Sequence, residues 1–309
     1  MTSRDTYSSW KALASALKEA AKKDSTASVD AHMRFAVSDR FLSRVFASSE
    51  DNEWTLKGGT GLLARVPNSR ATKDVDLVTT EKELEEAQAA LIEVSHRDLG
   101  DHVEFNFKSS HPTGGGNNQP NVQARQVVFT CIDIDTGKRI DDVKVDLAVE
   151  QAPTGEVEVR HPSNRLLLAK DVPSSPYRLF PVADQIADKV WATVQTYGHG
   201  RSTREKDLVD LVVLSRTQTV DLLQLRQALE AERLLRGEDR IKTFSVPDTW
   251  GPRFSVLARA TELCSGLTTV HAATDHVRRL IDPAIAAAEP RTNMTWSPET
   301  GWGPASTVN

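Results

Sequence analysis

The spacing of apolar residues along the chain changes twice. Over residues 9–23 and again over 30–46 they recur every three or four positions, which predicts two amphipathic helices, the first rich in alanine and lysine. The period then shortens. "EWTLKGG" reads as a short strand running into a glycine turn, and "TGLLAR" starts a helix. "DVDLVTT" alternates as a strand. Thr80 and Glu83 have the spacing of a capping box that opens a helix to about Val94. "HVEFNFK" alternates as a strand, "SSHPTGGGNNQP" has the composition of a flexible loop, and "VQARQVVFTCIDI" is a long strand. "DTGK" is a turn, after which "VKVDLAVE" pairs back as a hairpin strand.

Beyond about Glu150 the alternation stops. A proline-punctuated segment crosses to a run of helical patterns over 182–197, 204–215, 221–236, 253–264 and 273–287. The last twenty residues, with Trp296 and Trp302, read as a tail that packs through its aromatics. No internal repeat is present. The expectation is an α/β (α+β) chain: a mixed-sheet half over residues 1–155, then a mostly helical half over 156–309.

Composition narrows this picture. The 309 residues, 39% hydrophobic, can bury enough surface for two domains. A net charge of −5 excludes a generic polycation, so any nucleic-acid contact needs a local basic patch. Two cysteines without metal-ligand spacing, Cys131 and Cys264, argue against a disulfide framework or zinc site and suit a reducing cytoplasm. No signal-type apolar core opens the chain, and no run approaches the roughly 18 apolar residues of a membrane span. A soluble cytoplasmic protein is expected.

The candidate chemistry lies in "KGGTGLLARVPNSRATKDVDL", residues 57–77. Gly58 and Gly59 permit a tight turn whose N–H groups can approach an anion, with a helix N-terminus aimed at the same place. A glycine pair alone is more often an ordinary turn. On a strand, Asp74 and Asp76 project from one face, where two carboxylates repel unless a cation lies between them. They suit Mg²⁺, although a solvated edge strand would look the same. A third acid adds weight. In "VKVDLAVE", Val143, Val145, Leu147 and Val149 share one face, and Asp146 lies on the other. If that strand lies beside "DVDL", three carboxylates converge as in two-metal phosphoryl transfer. Arg65, Arg70 and Lys73, between glycines and acids, suit a triphosphate. Two residues before Asp74, Thr72 would share the acidic face and lie beside the phosphates.

Glycine pair, spacer, Asp-x-Asp and a later strand acid together resemble the nucleotidyltransferase superfamily of the DNA polymerase β type. Gly59 stands where the wider superfamily often has serine, and Thr60 is expected to supply the hydroxyl instead. "VADQIADKVWATV" and "RSTREKDLVDL" narrow the resemblance to the AbiEii/AbiGii-type toxins, which include the mycobacterial MenT group, over roughly residues 40–302. The resemblance implies a nucleotidyltransferase-fold sheet followed by a helical domain, with the site between them. It implies metal binding by Asp74, Asp76 and Asp146, a phosphate contact from Lys189, and a further catalytic acid in Asp207. The candidate nucleotide-binding set is Lys57, Gly58, Gly59, Thr60, Arg70, Thr72 and Lys189.

The same resemblance implies Mg²⁺-dependent transfer of a nucleoside monophosphate, from CTP or UTP, to the 3′ end of tRNA. It also implies a neighbouring antitoxin, often a winged-helix protein. Read without it, Lys189 borders an apolar stripe and could snorkel at a surface. Asp207 could pair with Arg204 on an exposed helix. Competing readings are transfer to a small molecule or protein, and a non-catalytic NTP-binding regulatory module. Trp191 reads as core, and His199 as part of a surface glycine loop.

Overall fold

The computed structural model describes residues 6–47, 53–80, 83–113, 123–197, 200–202, 204–286 and 294–305. Two capped helices open it. In α1 (Trp10–Lys23) the Ser9 hydroxyl accepts from the Ala12 amide at 3.2 Å, and Ser28 does the same for Ala31 at the start of α2 (Val29–Val45). Strand β1 (Thr55–Lys57) runs into α3 (Gly58–Arg65), followed by β2 (Asp74–Thr79). Helix α4 (Leu84–Ser95) does not use the expected Thr80 cap. Glu83 is the N-cap, without a side-chain bond, and Thr80 lies at a bend that closes β2.

The sheet is built next, from β3 (Val103–Thr113), β4 (Gln123–Asp133) and β5 (Lys138–Val149). Strand β3 is longer than its alternation suggested. Residues Ser109 to Thr113, expected to start a loop, pair with Val128 to Ala124 after a register shift beyond Phe107. Backbone hydrogen bonds to β4 outweigh their polar composition. The rest of that expected loop, residues 114–120, lies outside the described residues. The sheet also reaches past the expected division at residue 155. Short strands β6 (Glu158–Arg160) and β7 (Tyr177–Leu179) complete the order β3-β4-β5-β2-β1-β7-β6. Non-local pairing of β7 with β1 at Leu56 and Leu179 decides this, and no local pattern encodes it.

The helical half follows. It contains α5 (Val182–Val194), a two-residue ribbon of β8 (Thr196–Tyr197) and β9 (Gly200–Arg201), and α6 (Glu205–Thr217). Strand β10 (Val220–Asp221), α7 (Leu222–Arg236), α8 (Pro252–Arg259), a 3₁₀ turn at Glu262–Cys264 and α9 (Val270–Ile285) come next. The tail is a hairpin, β11 (Met294–Ser297) and β12 (Gly301–Pro304), that pairs with β10. Its aromatics pack as expected, with the Trp296 and Trp302 rings edge-on at 5.8 Å. Trp296 also donates its indole N–H to the Ser215 carbonyl at 2.8 Å. Among the described residues no helix is long and apolar enough to cross a membrane.

Two hydrophobic cores result. One lies between α1, α2, α4 and the sheet, centred on Phe41, Phe105 and Phe129. The other lies among α5, α6, α7 and α9 and includes Trp191, as expected. Helix α3 belongs to both, giving Ala64 to the first core and Leu62 to the second, with Val66 just beyond its end. The glycine turn therefore stands at the seam between the halves.

Candidate active site

The turn needs its glycines for reasons visible in its neighbours. Gly58 has φ +64°, and a Cβ there would collide with the Asp76 carboxylate. A Cβ on Gly59 would lie 2.9 Å from the Thr72 hydroxyl and 3.4 Å from the Arg70 guanidinium. The side chains of Asp76, Thr72 and Arg70 thus close over the backbone of the turn.

Strand register then aligns one polar row. Lys57 on β1 pairs with Asp76 on β2, Asp76 with Asp146 on β5, and Asp146 with Gln126 on β4. The Gln126 amide donates to Asp146 at 2.9 Å. Lys57 reaches sideways to Glu150, so its charge is shared with a carboxylate outside the row. Burial, and then the Asp146 charge, push the Asp76 carboxyl up to about 6. Asp74 and Asp76 lie on one face of β2, as the alternation predicted. Among the described residues no group of three or more His, Cys, Asp or Glu side chains is placed to hold a metal. The pair at Asp76 and Asp146 nonetheless fits a divalent cation. It offers only hard oxygen donors, and its mutual repulsion is what a cation relieves.

The helical half supplies the opposite wall. On α5 the Gln185 amide donates to the Gly58 carbonyl at 2.8 Å, fastening the wall to the turn. One helical turn on, Lys189 is buried and bonds Asp210 at 2.6 Å and Asp207 at 3.2 Å. Burial opposes its charge, but Asp210 and Asp207 outweigh it and its pKa is pushed up to about 12. Asp207 is held well below the usual carboxylate range: burial acts against this, and Lys189 and Arg204 overcome it. Arg70, from the loop before β2, grips Asp210 with two bonds of 2.8 and 2.7 Å. A cleft of about 170 Å³ separates the walls, bordered by Gly58, Gly59, Asp76, Lys189, Lys206 and Asp207.

Several expectations change on this geometry. Lys189 does not snorkel; it is 2% exposed. Asp207 does pair with Arg204, at 2.6 Å, but on a buried helix face. The Thr60 hydroxyl is not turned to an anion: it donates to the Asp74 carbonyl at 2.7 Å and ties the turn to β2. Arg65 is buried against the Phe180 carbonyl and Glu158, so it does not serve a triphosphate. Thr72 lies in the coil before β2 rather than on the strand, with its hydroxyl over Gly59. His199 lies outside the described residues. The cleft also contains Glu150, Asp188 and Arg236, which no sequence motif singles out, and Lys206, which stands beside Asp207 in "RSTREKDLVDL". For Asp188 the only local signal is its place beside Lys189.

A glycine turn at the mouth of a mixed sheet, acids on adjacent central strands and a helical wall define a nucleotidyltransferase fold. A model of the family described as "Nucleotidyl transferase AbiEii toxin, Type IV TA system" matches residues 40–286. The chain belongs to that family, and it is a nucleotidyltransferase toxin of a type IV toxin–antitoxin system. Among solved structures it is similar to MenT4, a nucleotidyltransferase toxin from Mycobacterium tuberculosis H37Rv. That likeness has a TM-score of 0.53 and 16% identity, over 89% of this chain and 90% of that one. JHP933 from Helicobacter pylori is more distant, with a TM-score of 0.39 and 15% identity, over 76% of this chain and 92% of that one. No curated protein sequence matches.

Proposed function

We propose that the toxin transfers a nucleoside monophosphate from CTP or UTP to the 3′ end of a tRNA. In this step the RNA 3′-hydroxyl oxygen bonds to the α-phosphorus, the bond from that phosphorus to the β-phosphate oxygen breaks, and pyrophosphate leaves. The hydroxyl proton passes to solvent. The observation that carries the reading is the alignment of Asp76 with Asp146 directly against the Gly58–Gly59 turn.

Backbone N–H groups of Gly58, Gly59 and Thr60 at the start of α3 hold phosphate oxygens. Lys57, Arg70 and Lys189 add positive field from both walls, and the fields of Lys57 and Lys189 reach Asp76. Asp76 and Asp146 are the pair that would hold Mg²⁺, with Asp74 on the same face of β2 as the further candidate ligand; when bound, the ion would neutralise charge on the triphosphate and the leaving pyrophosphate. Asp210, and after it Asp207, keep Lys189 charged and in position. MenT4 is named as a nucleotidyltransferase toxin, which supports transfer as the toxic act. The family's toxin–antitoxin setting supports a cognate antitoxin, for which a winged-helix protein is the proposed form. With tRNA and NTPs as substrates, the reaction is a cytoplasmic one.

The test is incubation of the pure protein with each labelled NTP, Mg²⁺ and total RNA, followed by sequencing of the labelled 3′ ends. Pyrimidine additions at tRNA ends are expected, absent with Asp76→Asn. Label on a small molecule or a protein, with none on RNA, would replace this reading by the corresponding transferase.

A further inference from the structure

Beside the cleft runs a larger groove, of about 550 Å³. It is lined by α2 with the linker before it, and by α8 with the residues that follow. The loop before β2 lines it as well. Arg70 and Lys206 line both the groove and the cleft, so the two spaces meet at those side chains. Four exposed cations line the groove from four different segments: Arg34, Lys73, Lys206 and Arg253. None of them makes an ion pair with a carboxylate among the described residues. In a chain of net charge −5 this is the local basic patch that nucleic-acid contact requires. Phe35 on α2 and Leu257 on α8, both half-buried, contribute apolar surface.

We propose that this groove holds the single-stranded 3′ end of the acceptor RNA and delivers its terminal hydroxyl past Arg70 and Lys206 to Asp76. The inference rests on the RNA-transfer reading above. Phosphates lie against Arg34, Lys73 and Arg253, and bases lie on Phe35 and Leu257. Its volume is that of a small-ligand site, enough for roughly one or two nucleotides. That volume suits unpaired nucleotides rather than a base-paired end. The toxin therefore requires a single-stranded 3′ overhang and rejects blunt ends.

The test compares two RNA hairpins with the same stem, one blunt and one with a short 3′ overhang. Binding is read by fluorescence anisotropy against salt, and transfer by labelled NTP. The overhang hairpin binds and is extended; the blunt one does neither. Arg34→Ser combined with Arg253→Ser lowers overhang affinity about tenfold or more. It also flattens the salt slope by about 1.4, since each single-strand phosphate that a side chain neutralises adds about 0.7 to that slope. NTP affinity, measured by titration, stays within about twofold, because neither arginine lines the cleft. Lys73→Ser, measured alone with its melting temperature, moves RNA affinity and slope the same way by about half as much.

Equal use of blunt and overhang hairpins overturns the proposal. So do unchanged RNA affinity and slope in the variants, or a loss of NTP affinity in place of RNA affinity. If the parent extends no RNA yet binds the overhang through Arg34 and Arg253, the groove stands and the transfer reading falls. If parent and variant extend RNA with the same KM, the transfer reading stands and the groove falls.

Discussion

Asp76 stands directly opposite Asp146 across the parallel strands β2 and β5, and burial together with that neighbouring charge raises its carboxyl to about 6 from an ordinary 3.8. The carboxyl thus binds a proton in the folded protein at pH values where the unfolded chain has lost it. This group therefore favours folding as pH falls towards 4, and that contribution is lost as pH rises through about 6. Asp76→Asn is expected to raise the melting temperature at pH 8 in metal-free buffer, with little change at pH 5. The same variant should lose transfer by roughly a thousandfold or more. Thermal melts at both pH values and a transfer assay check the pair of effects.

Gly58 carries a conformation and a space that alanine cannot share. Gly58→Ala forces a side chain into φ +64° and against the Asp76 carboxylate. It should cost about 1–3 kcal/mol of stability and weaken NTP binding. In the double variant with Asp76→Ala the collision with the carboxylate disappears and the backbone cost remains. The two changes should therefore couple favourably in a denaturant-unfolding cycle.

Arg70 and Asp210 join the halves of the molecule, and Lys189 shares Asp210 from within the helical half. Asp210 is 0% exposed and serves both Lys189 and Arg70, whereas Asp207 serves Lys189 and Arg204. Lys189→Ala removes the cation that two buried carboxylates share, leaving each with one arginine partner, and should cost about 3 kcal/mol. It should also weaken NTP binding or transfer, and Lys189→Arg should not restore them fully, since a planar fork cannot copy a point charge between two acids. Asp210→Ala should destabilise more than Asp207→Ala. Urea unfolding with NTP titration separates the structural part from the functional one: a stability loss with unchanged NTP affinity and transfer makes Lys189 purely structural.

Thr72 covers Gly59 beside Arg70. Thr72→Glu brings a carboxylate to the turn proposed for phosphate, where it would compete for Arg70 and repel the triphosphate. NTP affinity should fall about tenfold or more, while Thr72→Val should bind NTP with at most a modest loss. Isothermal titration of both variants, with toxicity on expression in the same order, checks the placement.

Much of this protein is determined by sequence alone. Alternation in "DVDL" and "VKVDLAVE" puts Asp74, Asp76 and Asp146 on definite strand faces, because side-chain direction on a strand has a period of two. Helical spacing places Gln185 and Lys189 on one face of α5, and Asp207 and Asp210 near each other on α6, because both follow from the backbone period. Serine caps at Ser9 and Ser28 are local for the same reason.

Tertiary structure alone decided which partners those faces meet. Only the β2–β5 register sets Asp76 against Asp146, and only the return of β7 to β1 carries the sheet past residue 155. Whether Arg65 meets substrate or Phe180, and whether Lys189 lies at a surface or between two buried acids, depends on packing between residues more than a hundred positions or a whole helix apart. The basic groove is the furthest case. Arg34 and Arg253 are 219 positions apart in the chain and line one groove only because the tertiary fold brings α2, α8 and the loop before β2 to it, a proximity no local periodicity records.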